Sequence, residues 1–118
     1  MLRQILIVDD SKPLADNLAE LLEMHGYATI THYDGHDCVK RVRSGGIGAV
    51  ICDYHMPGLN GGQVLKSLRE FGFTDLLFIM ISSDNEAAPA IRDRVTHFVT
   101  KPINLKKLLQ LLEQTLPE

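Results

Sequence analysis

Four apolar runs in this chain end in residues that can do chemistry. Ile5-Leu6-Ile7-Val8 ends in Asp9 and Asp10, and Ala49-Val50-Ile51-Cys52 ends in Asp53. Leu77 to Ile81 ends in Ser82 and Ser83, and His97 to Thr100 ends in Lys101 and Pro102. If the runs are parallel strands, these carboxylates, hydroxyls and one ammonium meet on a single sheet edge. Open α/β sheets place their ligands at that carboxyl edge. Asp9, Asp10 and Asp53 side by side would repel one another unless a cation neutralised them. Hard oxygen ligands suit Mg2+, which keeps several of its waters. The plain alternative for Asp9 and Asp10 is an acidic pair favoured by a helix N-terminus. For Asp53 it is a cap on the following loop.

The elements that must hold these groups alternate strand and helix. The run before Asp53 has no polar alternation, so it reads as a strand buried on both faces of a parallel sheet. Pro57-Gly58 is a turn signal, and a helix follows from about Gly61 to Glu70, burying Val64, Leu65 and Leu68. Earlier, Ser11 is placed to cap a first helix, with Pro13 tolerated in its first turn. Leu14, Leu18, Leu21 and Leu22 fall on one face of that helix, and Gly26 stops it. Tyr27 to Thr31 is a half-polar strand suited to an edge. Asp34-Gly35 opens a second helix that points Val39 and Val42 inward. Asn104 is placed to cap the last helix, whose buried side carries Leu105, Leu108, Leu109, Leu112 and Leu116. Five β-α repeats with right-handed crossovers put helices on both faces of one parallel sheet.

At 118 residues, with 45% hydrophobic and 23% charged, the sequence reads as one domain spanning residues 1–118. A net charge of −3 leaves no basic footprint for nucleic acid. No apolar run approaches the roughly 20 residues that span a bilayer, and no signal-peptide pattern opens the chain. Cys38 and Cys52 lack metal or redox spacing and read as reduced thiols of a cytoplasmic protein. His32 and His36 have a metal-like spacing but straddle a strand-to-helix turn, which favours a surface reading.

Asp9-Asp10, Asp53 followed by Met56-Pro57-Gly58 and Gly61, Ser82 at a strand end, and Lys101-Pro102 together resemble the receiver domain of two-component response regulators. The resemblance covers the whole chain. It implies a flavodoxin-like doubly wound sheet of strand order 2-1-3-4-5. It also implies that Asp53 accepts a phosphoryl group as a carboxylate nucleophile, forming an acyl phosphate. Mg2+ would be held by Asp10, Asp53 and the backbone carbonyl of His55, with Asp9 acting through water. Lys101 would pair with the phosphoryl oxygens, its peptide to Pro102 being cis in the family. Ser82 would donate its hydroxyl, and Phe98 would be the switch aromatic, able to report by burial alone. His55 and Asp84, two residues after Asp53 and Ser82, would tune the phosphate's lifetime. The plain alternatives are a loop lysine, a turn serine, a core aromatic and a solvated rim.

The function this implies is phosphorylation-controlled signalling. A histidine kinase or phosphotransfer protein donates, and a downstream protein or output domain responds; a homodimer is compatible with this. Such a domain does not turn over a substrate. A second reading is an aspartyl-nucleophile phosphohydrolase, but His55 replaces the carboxylate such enzymes usually place two residues after the nucleophile. A third is a degenerate receiver that only docks, against which the full set of site residues argues. One departure from the family is expected. Only 101 − 82 = 19 positions separate Ser82 from Lys101. With Pro89 among them, the fourth helix is expected to be short or irregular, starting near Pro89 and running to about Arg94.

Overall fold

The computed structural model describes residues 4–83 and 97–115. Strand β3 (Ile47–Asp53) is buried along its whole length and forms the middle of the sheet. On one side lie β1 (Gln4–Val8) and the edge strand β2 (Thr29–His32), and on the other β4 (Leu77–Ser82) and β5 (His97–Thr100). All pairs are parallel, and the order is β2-β1-β3-β4-β5, as expected. The molecule is therefore a flavodoxin-like α/β domain.

Side chains alternate across the sheet, so each strand feeds two cores. Leu6, Val8, Val50, Cys52, Phe78 and Met80 face helices α2 (Gly35–Arg43) and α3 (Gly61–Glu70). Ile5, Ile7, Ile51, Ile79 and Ile81 face α1 (Lys12–Met24) and α4 (Leu105–Thr115). Each such side chain taken from water contributes about 1.5–3 kcal/mol, which is why the runs at the sheet centre carry no polar residue until they reach the edge.

Of the three helix starts assigned from the sequence at Ser11, Asp34 and Asn104, two carry the expected side-chain cap, and a further cap appears at Asn60. Asp34 caps α2 by accepting from Asp37 N at 2.8 Å. Asn60 and Gln63 form a reciprocal capping box on α3, both bonds at 2.9 Å. Asn104 accepts from Lys107 N at 3.1 Å to start α4. Ser11 is the exception: it occupies the N-cap of α1 but makes no side-chain cap bond. Its backbone N–H instead donates to Asp9 Oδ1 at 3.0 Å.

Two other expectations shift. The second strand begins at Thr29, because Tyr27 N–H still bonds back to Leu22 O at the end of α1. On α1, the buried residues are Ala15, Leu18, Ala19 and Leu22, while Leu14 is 54% exposed. The expected fourth helix lies outside the described residues. Among the described residues, no helix is long and apolar enough to cross a membrane.

Candidate functional site

Each strand end at the carboxyl edge is pinned to its neighbour, and this fixes where the functional groups stand. Beyond β3, Tyr54 N donates to Ile81 O at 2.7 Å; beyond β5, Lys101 N donates to Ser82 O at 2.9 Å; beyond β1, Asp9 N donates to His32 O at 3.2 Å. The sheet ladder thus runs on for one residue past three strands, and it carries Asp9 and Lys101 toward Asp53.

Asp53 closes β3 and is only 6% exposed. A buried carboxylate is costly unless it is paired. Lys101 Nζ lies 3.4 Å from Asp53 Oδ2, close enough for an ion pair but longer than a strong charged hydrogen bond. Asp53 Oδ1 is buried and has no hydrogen-bond partner among the described residues. Carboxylate oxygens of Asp9, Asp10 and Asp53 all lie within 4.8 Å of one another. Burial holds the Asp9 carboxyl above its ordinary range; the Ser11 amide opposes this, and Asp53 adds to it.

The three carboxylates fit a hard divalent cation. The donors are all oxygen, they are mutually repulsive as they stand, and one buried oxygen is unsatisfied. Asp10 is exposed, so a cation here keeps a face open to solvent and to its own waters.

Ser82 ends β4 fully buried, paired in register with Thr100 beside Lys101. His55 is exposed on the rim, its ring edge-on to Tyr54 at 5.0 Å between centroids. Phe98 lies in β5 opposite Met80 and packs half-buried on the α2–α3 core. The Lys101–Pro102 peptide is cis. Asp84 lies outside the described residues. His32 is half-buried at the end of β2, with its Nε2 enclosed, so it is not the surface residue expected.

The loop between Asp53 and α3 needs two glycines for different reasons. Gly58 has φ +76°, the left-handed region that suits the residue after Pro57. Gly61 is a close approach. A Cβ there would lie 2.8 Å from the carbonyl oxygen of Asp53 and 2.6 Å from Met80 Sδ.

Sequence reasoning missed a groove. From Asp53 and Lys101 a cleft of about 540 Å³ runs between α1 and the loop into α4, walled by Leu14, Leu18, Leu21, Ile103 and Leu105. Leu14 and Leu21 share the face of Leu18, as their spacing requires, but they line this cleft instead of the core. The unused signal was Ala15 and Ala19, small residues of α1 that are buried in the core with Leu18 and Leu22.

Together these features define a parallel α/β domain with an acidic, cation-ready pocket and a lysine at its carboxyl edge. The family described as response regulator receiver domain matches residues 5–113, and the chain belongs to that family. Among solved structures it is similar to the response regulator protein TrrA of Thermotoga maritima, solved in complex with Mg2+ and BeF. That match has 27% identity and a TM-score of 0.89, covering 98% of this chain and 100% of the other. A CheY-like receiver domain from Methylobacillus flagellatus is 26% identical, with a TM-score of 0.88 and coverage of 98% and 99%. The chemotaxis protein CheY4 of Vibrio cholerae, at 22% identity and a TM-score of 0.87 over 98% and 100%, shares the fold.

Proposed function

We propose that this receiver domain takes a phosphoryl group onto Asp53 from a histidine kinase or phosphotransfer protein, and that the modified domain controls a downstream protein or output domain. The observation that carries the reading is the buried Asp53 carboxylate, held by Lys101 through one oxygen and unpartnered at the other. In the transfer, the bond between phosphorus and the donor's imidazole nitrogen breaks and a bond from an Asp53 oxygen to phosphorus forms. A carboxylate nucleophile needs no general base for this attack, so the rest of the site has only to position and to balance charge.

Mg2+, held by Asp10, Asp53 and the His55 carbonyl with Asp9 behind a water, would supply charge neutralisation for the incoming phosphoryl oxygens. Lys101 leaves Asp53 Oδ2 to pair with those oxygens, and the Ser82 hydroxyl donates to another. Ser82 and Phe98 then serve as the switch, Phe98 by changing its burial on the α2–α3 core. His55 and Asp84 set how readily water attacks the acyl phosphate. The domain is consumed stoichiometrically in each transfer and does not act as a turnover enzyme. The apolar cleft beside Asp53 supports docking of the donor protein, whose helix can cover Leu14 while its phosphohistidine reaches the site. On this reading residues 1–118 make up one receiver domain that works in the cytoplasm; a homodimer is compatible with it, and it calls for no direct contact with nucleic acid or membrane.

The test is labelling with acetyl phosphate and Mg2+, with borohydride trapping and mass spectrometry to find the modified residue. One label per chain at Asp53 is expected, with none in Asp53→Asn. Full labelling of Asp53→Asn defeats the assignment, and steady release of phosphate at enzyme rates defeats the stoichiometric reading.

A further inference from the structure

Lys12 is the first residue of α1, two positions after Asp10. A cation in the first turn of a helix is in the wrong place for the helix dipole, and α1 has no acidic residue in that turn to offset it. An exposed ammonium two positions along the chain from Asp10 has the acidic cluster as an obvious destination. It does not go there. Its Nζ sits 5.1 Å from the centroid of the Tyr33 ring, on the side of α1 that faces the exit of β2.

Tyr33 is fixed from several directions. Its hydroxyl donates to Asp16 Oδ1 at 2.7 Å, so the hydrogen on Thr31 Oγ1 is the one that points to the tyrosine oxygen across 3.3 Å. Its ring packs against the α1–α4 core. Asp16 is one helical turn beyond Lys12, so its charge adds to the attraction of the ring face. Ring and carboxylate together make a berth for one ammonium.

We propose that Tyr33 is a positioning residue that keeps Lys12 out of the acidic pocket, leaving Asp9, Asp10 and Asp53 to a divalent cation. This rests on the reading of the pocket as a Mg2+ site. Without the ring, Lys12 swings toward the carboxylates and competes with the metal as a tethered monovalent cation. The ring thereby sets metal affinity without touching metal or phosphate.

Calorimetric titration with Mg2+ at low ionic strength tests this in the full chain. Tyr33→Leu should weaken Mg2+ binding by roughly three- to tenfold, as expected for one charge brought near a partly exposed site. Tyr33→Phe, which keeps the ring, should bind as the wild type does. Lys12→Met added to Tyr33→Leu should restore wild-type affinity. A purely structural strut predicts otherwise: the double variant would stay weak, and Tyr33→Phe, which loses the Asp16 bond, would weaken too. Either result overturns the proposal, as does Tyr33→Leu with unchanged affinity while the wild type binds Mg2+. A wild type that takes up no Mg2+ overturns the pocket reading and this proposal with it. If Tyr33→Leu does not fold, the wild type still decides. The Lys12 ε-methylene protons should be shifted upfield by the ring in the NMR spectrum, and an unshifted signal overturns the berth.

Discussion

Lys101 Nζ and Asp53 Oδ2 face each other at 3.4 Å, while the second oxygen of the same carboxylate stays buried and unpartnered. The pair is therefore half a solution to the burial of Asp53. One ammonium, itself about a third exposed, balances one oxygen, and the acidic neighbours work against it.

Replacing Lys101 by Met should destabilise the metal-free protein by about 1–3 kcal/mol, below the full penalty for a stranded buried charge because the ammonium is partly solvated. Mg2+ should then bind more tightly than in the wild type, since one competing positive charge is gone. Thermal unfolding in EDTA and in Mg2+ reads both effects. The variant should melt lower than the wild type in EDTA and gain more on adding metal. Equal melting of the two proteins in EDTA would show that the ion pair contributes nothing.

The fold was legible because the strands are unambiguous. Runs such as Val50-Ile51-Cys52 can only be buried on both faces, and each ends in a residue the core cannot take. The same feature made the site legible, since Asp9, Asp53, Ser82 and Lys101 are those terminal residues. What could not be read depends on how elements lean on one another. Leu14 and Leu18 look alike in a helical repeat, and only the docking of α1 through Ala15 and Ala19 leaves Leu14 in a cleft. Ser11 looks like a cap, but Asp9 takes its amide, a competition between neighbours that composition does not rank. The Tyr33 contacts join residues from two helical turns and a strand end, and no local pattern announces them.

The two thiols should make the protein sensitive to alkali and resistant to thiol reagents. Burial pushes Cys38 up to about 12 from an ordinary 9.0, and it pushes Cys52 well above the usual range, with Cys38 and Asp53 adding to the shift. Above pH 9.0 the unfolded chain ionises Cys38 and the folded chain does not, so the folded state loses stability as pH climbs toward about 12. The slope is about 1.4 kcal/mol per pH unit for each such thiol, and below the ordinary thiol range the contribution is complete. Urea titrations at stepped alkaline pH should show a shallower decline for Cys38→Ala than for the wild type. At pH near neutral, alkylation of either cysteine should require denaturant. Rapid labelling of the native protein, or identical alkaline slopes, would contradict the burial of these groups.

Gly61 ties the stability of the fold to the geometry of the site. It opens α3, and its N–H donates to Tyr54 O at 2.8 Å, which folds the loop after Asp53 back on itself. In Gly61→Ala the new methyl would meet the Asp53 carbonyl oxygen at 2.8 Å, Tyr54 Cα at 2.9 Å and Met80 Sδ at 2.6 Å. The thioether can rotate away, but the two backbone atoms cannot move without shifting Asp53 itself. The overpacking should cost about 1–3 kcal/mol. It should also lower Mg2+ affinity, because the Asp53 carboxylate moves relative to Asp9 and Asp10. Asn60→Ala serves as the control: it removes the capping box of the same helix at a cost of about 1 kcal/mol, with no new contact near Asp53. If the close approach governs the site, Gly61→Ala loses both stability and metal affinity, whereas Asn60→Ala loses stability alone. Equal Mg2+ affinity in the two variants would mean that the loop tolerates the methyl by moving α3 and leaving Asp53 in place.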